Sequence, residues 1–343
     1  MRKYLMKIRF LIAAIAAVFV TGSAYSATLD DVMARGNLEC GVSTGLVGFA
    51  SPDAEGEWEG FDVDYCRALA AAIFGDSNAV EFTPVSTKNR FTALAAGEFD
   101  ILARNTTWTF SRDTDLKQTF LGINFYDGQG FMVRADLGVS SASELDGASV
   151  CIQTGTTTEL NLADFFRVNG MSYEPVPIED NAEAKEQFFA QACDAYTTDR
   201  SGLASTRAAA ENPDDYVVLP EVVSKEPLGP LVRHGDDQWA DIGRWVLNAL
   251  IIAEEKGLTS ANVREMASAP TNDPEINRLL GTEGTYADMV GLPNDWAVNL
   301  IEQVGNYGEI FERNIGVNTP IGLTRGVNDL WTNGGLIYAP PYR

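Results

Sequence analysis

Residues 99–112 read FDILARNTTWTFSR. The apolar start, residues 99–103, has the composition of a buried strand. It runs into a polar turn that carries Asn105, Thr106, Thr107 and Thr109, then Trp108 and Phe110, then Arg112. In open α/β sheets, small ligands bind at the loops that follow strand ends. A guanidinium among hydroxyls and an aromatic suits a carboxylate, because its fork donates two parallel charge-assisted hydrogen bonds. The bland alternative for Arg112 is a surface arginine at the start of a helix.

Upstream, residues 38–42 read as a strand followed by the turn STGLVGF, 55–60 as a polar hairpin-like connection, and 62–74 as a helix with Val63, Cys66, Leu69, Ala70 and Ile73 on one face. Residues 80–84 read as a strand and 89–96 as a helix, with Phe91 and Leu94 inward and Gly97 ending it. Strand–helix alternation marks an α/β sheet. A second cycle follows with strands at 130–133, 150–153, 173–176, 195–198 and 216–219, and helices at 143–145, 155–166, 181–190 and 203–210. After Pro230 the pattern turns mainly helical, with helices expected at 239–255 and 294–311, before a Gly/Pro/Asn-rich ending.

Residues 1–26 stand apart. Arg2, Lys3, Lys7 and Arg9 precede an apolar run at 10–20 that is short for a membrane span. Ala24 and Ser26 supply small residues for cleavage before Ala27, with cleavage after Ala24 as the alternative, so 1–26 reads as a signal peptide and an uncleaved anchor is the competing reading. Removing it takes four positive charges and no negative one from a net charge of −23, leaving −27. Such a chain is expected to avoid nucleic acid and anionic lipid headgroups. The four cysteines of an exported chain invite disulfides, and Cys40–Cys66 and Cys151–Cys193 pair within each half. With no CxxC and a single histidine, His234 in a charged loop, zinc sites and histidine-dependent nucleophilic catalysis are disfavoured. No metal or cofactor is expected.

Two further signals lie in the second half. Thr156-x-x-Glu159 after a strand is a capping-box pattern, and Gly155 allows close backbone approach, so the helix start there suits a carboxylate. Asp199 closes a strand and precedes Arg200, where it suits an ammonium or, more simply, caps the next helix. Arg112, the Gly155 helix terminus and Asp199 together can hold both ends of a zwitterion.

At this point the chain resembles the family 3 solute-binding proteins, which serve amino-acid ABC transporters. The resemblance is to the general L-amino-acid-binding branch and the related binders of glutamate, glutamine, aspartate and asparagine. It covers essentially all of the chain after residue 26 and is strongest at residues 40–45, CGVSTG; 104–109, RNTTWT; 126–131, YDGQGF; 155–160, GTTTEL; and 306–309, NYGE, with the ending at Ala339-Pro340-Pro341. It implies a two-lobe, type II periplasmic-binding-protein fold. Lobe 1 would comprise 27–127 and 227–343 with a C-terminal extension, and lobe 2 would comprise 128–226, joined by two crossing segments. It also implies a carboxylate-binding Arg112 with Asn105 and Thr107 before it, a helix terminus of Gly155, Thr156 and Thr157, an ammonium-binding Asp199, and Asn89-Arg90 reading the ligand side chain. Leu46 stands near where relatives stack an aromatic over the ligand. The expected partners are free L-amino acids and a membrane permease, with the protein a periplasmic monomer and not an enzyme. Two other readings remain: a dehydratase-like enzyme on the same scaffold, for which Glu159 is the unassigned acid, and a receptor module that feeds a sensor.

Overall fold

The structure, a computed structural model, describes residues 27–343; the signal-peptide reading lies outside them. The chain opens with α1 (Thr28–Arg35), β1 (Leu38–Val42), the hairpin β2 (Ser51–Pro52) and β3 (Trp58–Glu59), α2 (Phe61–Phe74), β4 (Val80–Pro84), α3 (Arg90–Ala96), β5 (Ile101–Leu102), α4 (Phe110–Thr114) and β6 (Gln118–Phe120). It crosses over through β7 (Phe125–Asp127) into β8 (Gln129–Arg134), β9 (Ser149–Gln153), α5 (Thr157–Val168), β10 (Glu174–Ile178), α6 (Asn181–Phe189), β11 (Ala195–Asp199), α7 (Arg200–Ala208) and β12 (Tyr216–Val218). It returns through β13 (Glu226–Leu228) to β14 (Leu231–Arg233), then α8 (Asp237–Glu255), α9 (Val263–Met266), α10 (Pro274–Leu279), α11 (Trp296–Val304) and α12 (Tyr307–Asn314).

These strands form two sheets of the same design, ordered β4-β1-β5-β14-β6 and β10-β9-β11-β8-β12. In each, three parallel strands are followed by an antiparallel strand that is the first sheet strand after the chain crosses in. The crossing segments β7 and β13 pair antiparallel, with Glu226 opposite Asp127 and Leu228 opposite Phe125. The strand order reverses beside β1 in one sheet and beside β9 in the other, and a crevice opens at such a point. Both crevices face each other, because loops after β4 and β1 meet loops after β9 and β10: Thr87 Oγ1 lies 3.0 Å from the Thr154 carbonyl and 3.2 Å from that of Glu179, within reach of either as donor, and Asn181 Nδ2 donates to Ser43 Oγ.

The apolar core follows this division. The larger cluster joins α2, α8, α11 and α12 around Phe61, Trp239, Trp296 and Phe311, and it includes Leu330, Ile337 and Tyr342 of the C-terminal stretch. Smaller clusters cover the two faces of the second sheet. The C-terminal stretch also braces the crossing: Asn328 accepts from the Tyr126 N–H at 2.6 Å and donates to the Tyr126 carbonyl at 3.0 Å.

Two sequence expectations change. The strand expected at 99–103 is Ile101–Leu102, with the Asp100 and Ala103 N–H groups still donating to the Glu39 and Gly41 carbonyls at its ends, and the chain turns at Asn105, which holds a φ of 29°. Phe99 instead packs its ring over Gly41, where any Cβ would stand 2.6 Å from it. The helix expected at 294–311 is two helices, broken at Gly305 (φ 93°), with Asn306 and Glu309 forming a reciprocal capping box for α12.

Both expected disulfides are present. Cys40–Cys66 ties β1 to α2, and Cys151–Cys193 ties β9 to the turn before β11. Each closes a loop worth about 3–4 kcal/mol by the loop-entropy argument. Thiol titration of the unfolded chain without reductant should find no free thiol, whereas four reactive thiols would refute both bridges.

Candidate functional site

The turn after β5 is shaped by a buried acid. Asp62, at the start of α2, accepts the Asn105 N–H at 2.8 Å. That bond supports the left-handed backbone at Asn105, which asparagine tolerates better than most residues. The turn then aims Asn105 Nδ2 across the crevice at Asp199, 3.3 Å away. Burial pushes the Asp62 carboxyl up to about 6, against the Asn105 N–H, Asn124 and Arg104, which pull it down.

Thr109 caps α4 by accepting the Arg112 N–H, which places Arg112 in the first turn of that helix. Its side chain folds inward and is only 6% exposed. Nη1 donates to the Thr107 carbonyl at 2.8 Å, leaving the rest of the fork for another acceptor. Burial pushes the Arg112 pKa down to about 10, opposed by Glu226 and Asp199. The group therefore stays cationic at neutral pH.

The aromatic beside Arg112 is Phe91 of α3. The Arg112 and Arg90 guanidinium carbons lie 5.1 and 4.8 Å from its ring centroid. Neither aromatic expected from the turn serves here: Trp108 stacks on Phe120 at 5.3 Å, and Phe110 is exposed. Leu46 is buried in the larger core cluster and bridges to Ala50. His234 lies half-exposed, 3.7 Å from Asp113, in the loop after β14.

Arg90 is buried, and its Nη1 reaches Thr106 Oγ1 only at 3.4 Å, while its Nε has no partner. Burial first, then the neighbouring charges of Arg112 and Arg104, hold its pKa well below the usual arginine range. Arg104 is a further buried guanidinium, bonded through Nε to the Val85 carbonyl and with Nη2 unpartnered. Sequence reading missed it. A buried donor without a partner costs free energy in proportion to its lost hydration, so the Arg90 guanidinium beside Arg112 favours an anionic or carbonyl-bearing guest.

On the facing wall, Thr156 caps α5: its hydroxyl accepts the Glu159 N–H at 3.1 Å and donates to the Gln153 carbonyl at 2.7 Å. The expected capping box is altered, because the Glu159 carboxylate takes the Gly155 N–H instead of that of Thr156. Gly155 has a φ of 73° and sits against Lys88, so it serves as a point of contact between walls. Thr157 is the residue of this terminus whose hydroxyl faces the opposing wall, 3.4 Å from Thr107 Oγ1.

Asp199 occupies the N-cap position of α7 but makes no side-chain cap bond there. Asp127 does that work from β7, accepting the Ser201 N–H at 3.2 Å. Asp199 is thereby free to face Asn105. Burial pushes its carboxyl well above the usual range, helped by Asp127 and Glu226 and opposed by Asn105 and Arg90. Glu226 on β13 is the second residue sequence reading passed over. It is 1% exposed and lies between Thr107 and Thr157.

The site thus brings Arg90, Asn105, Thr107 and Arg112 together with Thr157 and Asp199 at equivalent strand ends of two apposed sheets. Residues 38–259 match the family described as bacterial extracellular solute-binding proteins, family 3. The chain belongs to that family. It is 60% identical over 327 residues to the glutamate/glutamine/aspartate/asparagine-binding protein BztA of Rhodobacter capsulatus, covering 95% of this chain and 96% of that one. It is 56% identical over 343 residues to the general L-amino acid-binding periplasmic protein AapJ of Rhizobium johnstonii, covering 98% and 100%. Among solved structures, it resembles an ABC transporter periplasmic binding protein from Brucella ovis with glutathione bound, with a TM-score of 0.90, 57% identity, and coverage of 93% of this chain and 100% of that one. This solute-binding protein accordingly has the two-lobe type II fold.

Proposed function

We propose that this solute-binding protein is the periplasmic component of an ABC amino-acid importer, delivering free L-amino acids, including glutamate, glutamine, aspartate and asparagine, to a membrane permease. Residues 1–26 are its cleaved signal peptide, and it works as a monomer. Lobe 1 is 27–127 with 227–343, lobe 2 is 128–226, and the β7–β13 pair is the hinge. The observation that carries the reading is a buried guanidinium and a buried carboxyl group, Arg112 and Asp199, on opposite walls of one crevice. Arg112 takes the ligand carboxylate with its free fork, and Asp199 takes the ammonium. Asn105, Thr107 and Thr157 surround that clasp, while Gly155 and Thr156 shape the second wall.

The names of the relatives point the same way: two are amino-acid binders, and the Brucella structure holds a peptide whose end groups include the same carboxylate and ammonium. Closure is favoured by the ligand because only the apposed lobes offer both charges at once. An enzymatic reading gains no support, since Glu159, its proposed acid, is engaged in holding the Gly155 N–H.

A thermal-shift screen of the mature chain against the twenty L-amino acids tests the reading. Ligands of the native state raise its melting temperature, so glutamate, glutamine, aspartate and asparagine should all do so. A flat response across all twenty would overturn it.

Arg90 carries the side-chain part of the proposal. Its Nε, unpartnered among the described residues, and the absence of an ion pair to it there fit a ligand carboxylate or amide oxygen. Arg90→Ala should weaken glutamate and aspartate by about 2–3 kcal/mol and alanine or leucine much less. Equal losses in calorimetry would remove Arg90 from this role.

A further inference from the structure

Glu226 sits where the chain re-enters the first lobe, and its two carboxylate oxygens have different partners. Oε1 accepts from Asn161 Nδ2 at 2.8 Å and Ser224 Oγ at 2.5 Å. Oε2 accepts from Thr107 Oγ1 at 2.6 Å and Thr157 Oγ1 at 2.9 Å. One oxygen is therefore anchored to α5 and the segment before β13. The other ties the first sheet's turn to the second sheet's helix terminus. No lysine or arginine lies within ion-pair distance of Glu226 among the described residues, so its hydrogen bonds come from neutral groups.

Proton accounting gives these bonds a consequence. A threonine hydroxyl has one proton and two lone pairs. With both protons directed at Oε2, Thr107 and Thr157 can only accept from a guest. Glu226 thus converts two ambivalent hydroxyls into fixed acceptors and holds them 3.4 Å apart across the crevice. Fixed acceptors favour an N–H donor on the guest and disfavour a carboxylate at that spot, which leaves the carboxylate to Arg112.

We propose that Glu226 is a positioning residue of the binding site. It acts through Thr107 and Thr157, sets their hydrogen-bond sense, and fastens the two walls at the hinge when the lobes are together. This rests on the amino-acid-binding reading above. It adds to that reading a residue on the crossing strand that couples ligand polarity to closure.

The test is calorimetry with L-glutamate and L-alanine on wild type, Glu226→Gln, Thr107→Val and the double variant. In Glu226→Gln one end of the amide donates, so the partners it faces keep their bonds only by turning to accept, which for the threonines reverses their hydrogen-bond sense. Affinity for both ligands should fall at least tenfold. The double variant should lose less than the product of the two single losses, because part of the effect of Glu226 passes through Thr107. A Glu226→Gln affinity within twofold of wild type would overturn the proposal, as would losses that multiply in the double variant. If Glu226→Gln does not fold, Asn161→Leu with Ser224→Ala loosens the anchor alone. That pair should also cost affinity for both ligands, and unchanged affinity would overturn the proposal. Wild type that binds no amino acid would instead sink the functional reading itself, so the two failures are distinguishable.

Discussion

Arg112→Ala should weaken amino-acid binding in calorimetry with L-glutamate and L-alanine by about 2–5 kcal/mol, or some 30-fold to several thousand-fold, typical of removing one partner of a desolvated charge pair. The magnitude follows from burial. The guanidinium is nearly inaccessible, keeps its charge with a pKa near 10, and has one N–H on Thr107 and the rest of its fork uncommitted. Without it a ligand carboxylate would enter a closed crevice with no cation to receive it. Asp199 and Glu226 would also lose the positive neighbour whose field they share. Arg112→Lys keeps the charge and loses the fork, so it should fall between wild type and alanine. Near-wild-type affinity for Arg112→Ala would remove Arg112 from the site.

Asp199→Asn carries the second large effect, a comparable loss for every amino acid, together with a change in pH dependence. In the ligand-free protein, burial and the nearby charges of Asp127 and Glu226 raise the Asp199 pKa well above its unfolded value, while Asn105 and Arg90 lower it. A raised folded-state value means the folded chain binds the proton more tightly. Its contribution to stability is therefore fully favourable at low pH and declines as pH rises from the ordinary carboxylate range, about 4, through the raised value. Ligand binding reverses the sign. The ammonium favours the carboxylate, so binding releases the proton, and affinity should rise with pH up to the raised value, by as much as about tenfold per pH unit. Calorimetry over a pH series should show this slope for wild type and its loss in Asp199→Asn. A variant that binds within a few-fold of wild type, with the same slope, would exclude Asp199 as the ammonium partner.

Both residues were visible in the sequence for a simple reason. A charged side chain that closes or follows a short apolar strand is placed by the strand itself, and strand ends are legible from hydrophobic pattern. The same holds for Thr107 and for Thr157, which opens a helix just after β9. The residues that escaped reading act from further away. Phe91 reads as an inward helical aromatic, and only the packing of α3 sets it against Arg112 and Arg90. Arg104 looks like one more polar residue in a turn, and it is the close approach of Val85 and Asp62 that makes it a buried cation. Glu226 stands in SKEPLGP, a stretch whose prolines suggest a linker, and nothing local shows that it will meet Thr107, 119 positions away.

Asp199 illustrates how one residue's role depends on another's. Its position before α7 is equally that of a helix cap. The choice is made by Asp127, which takes the Ser201 N–H from the neighbouring crossing strand and leaves Asp199 to the crevice.

By itself the sequence determined the alternation of strands and helices, the pairing of cysteines within each half, and the charged residues at equivalent strand ends, because period, cap and turn are properties of neighbouring residues. The tertiary structure alone decided which of those charges share one crevice, which hydroxyls have their protons already taken, and which buried guanidiniums lack partners. Those depend on two sheets meeting face to face across a pair of crossing strands, a relation between residues far apart in the chain that no local pattern encodes.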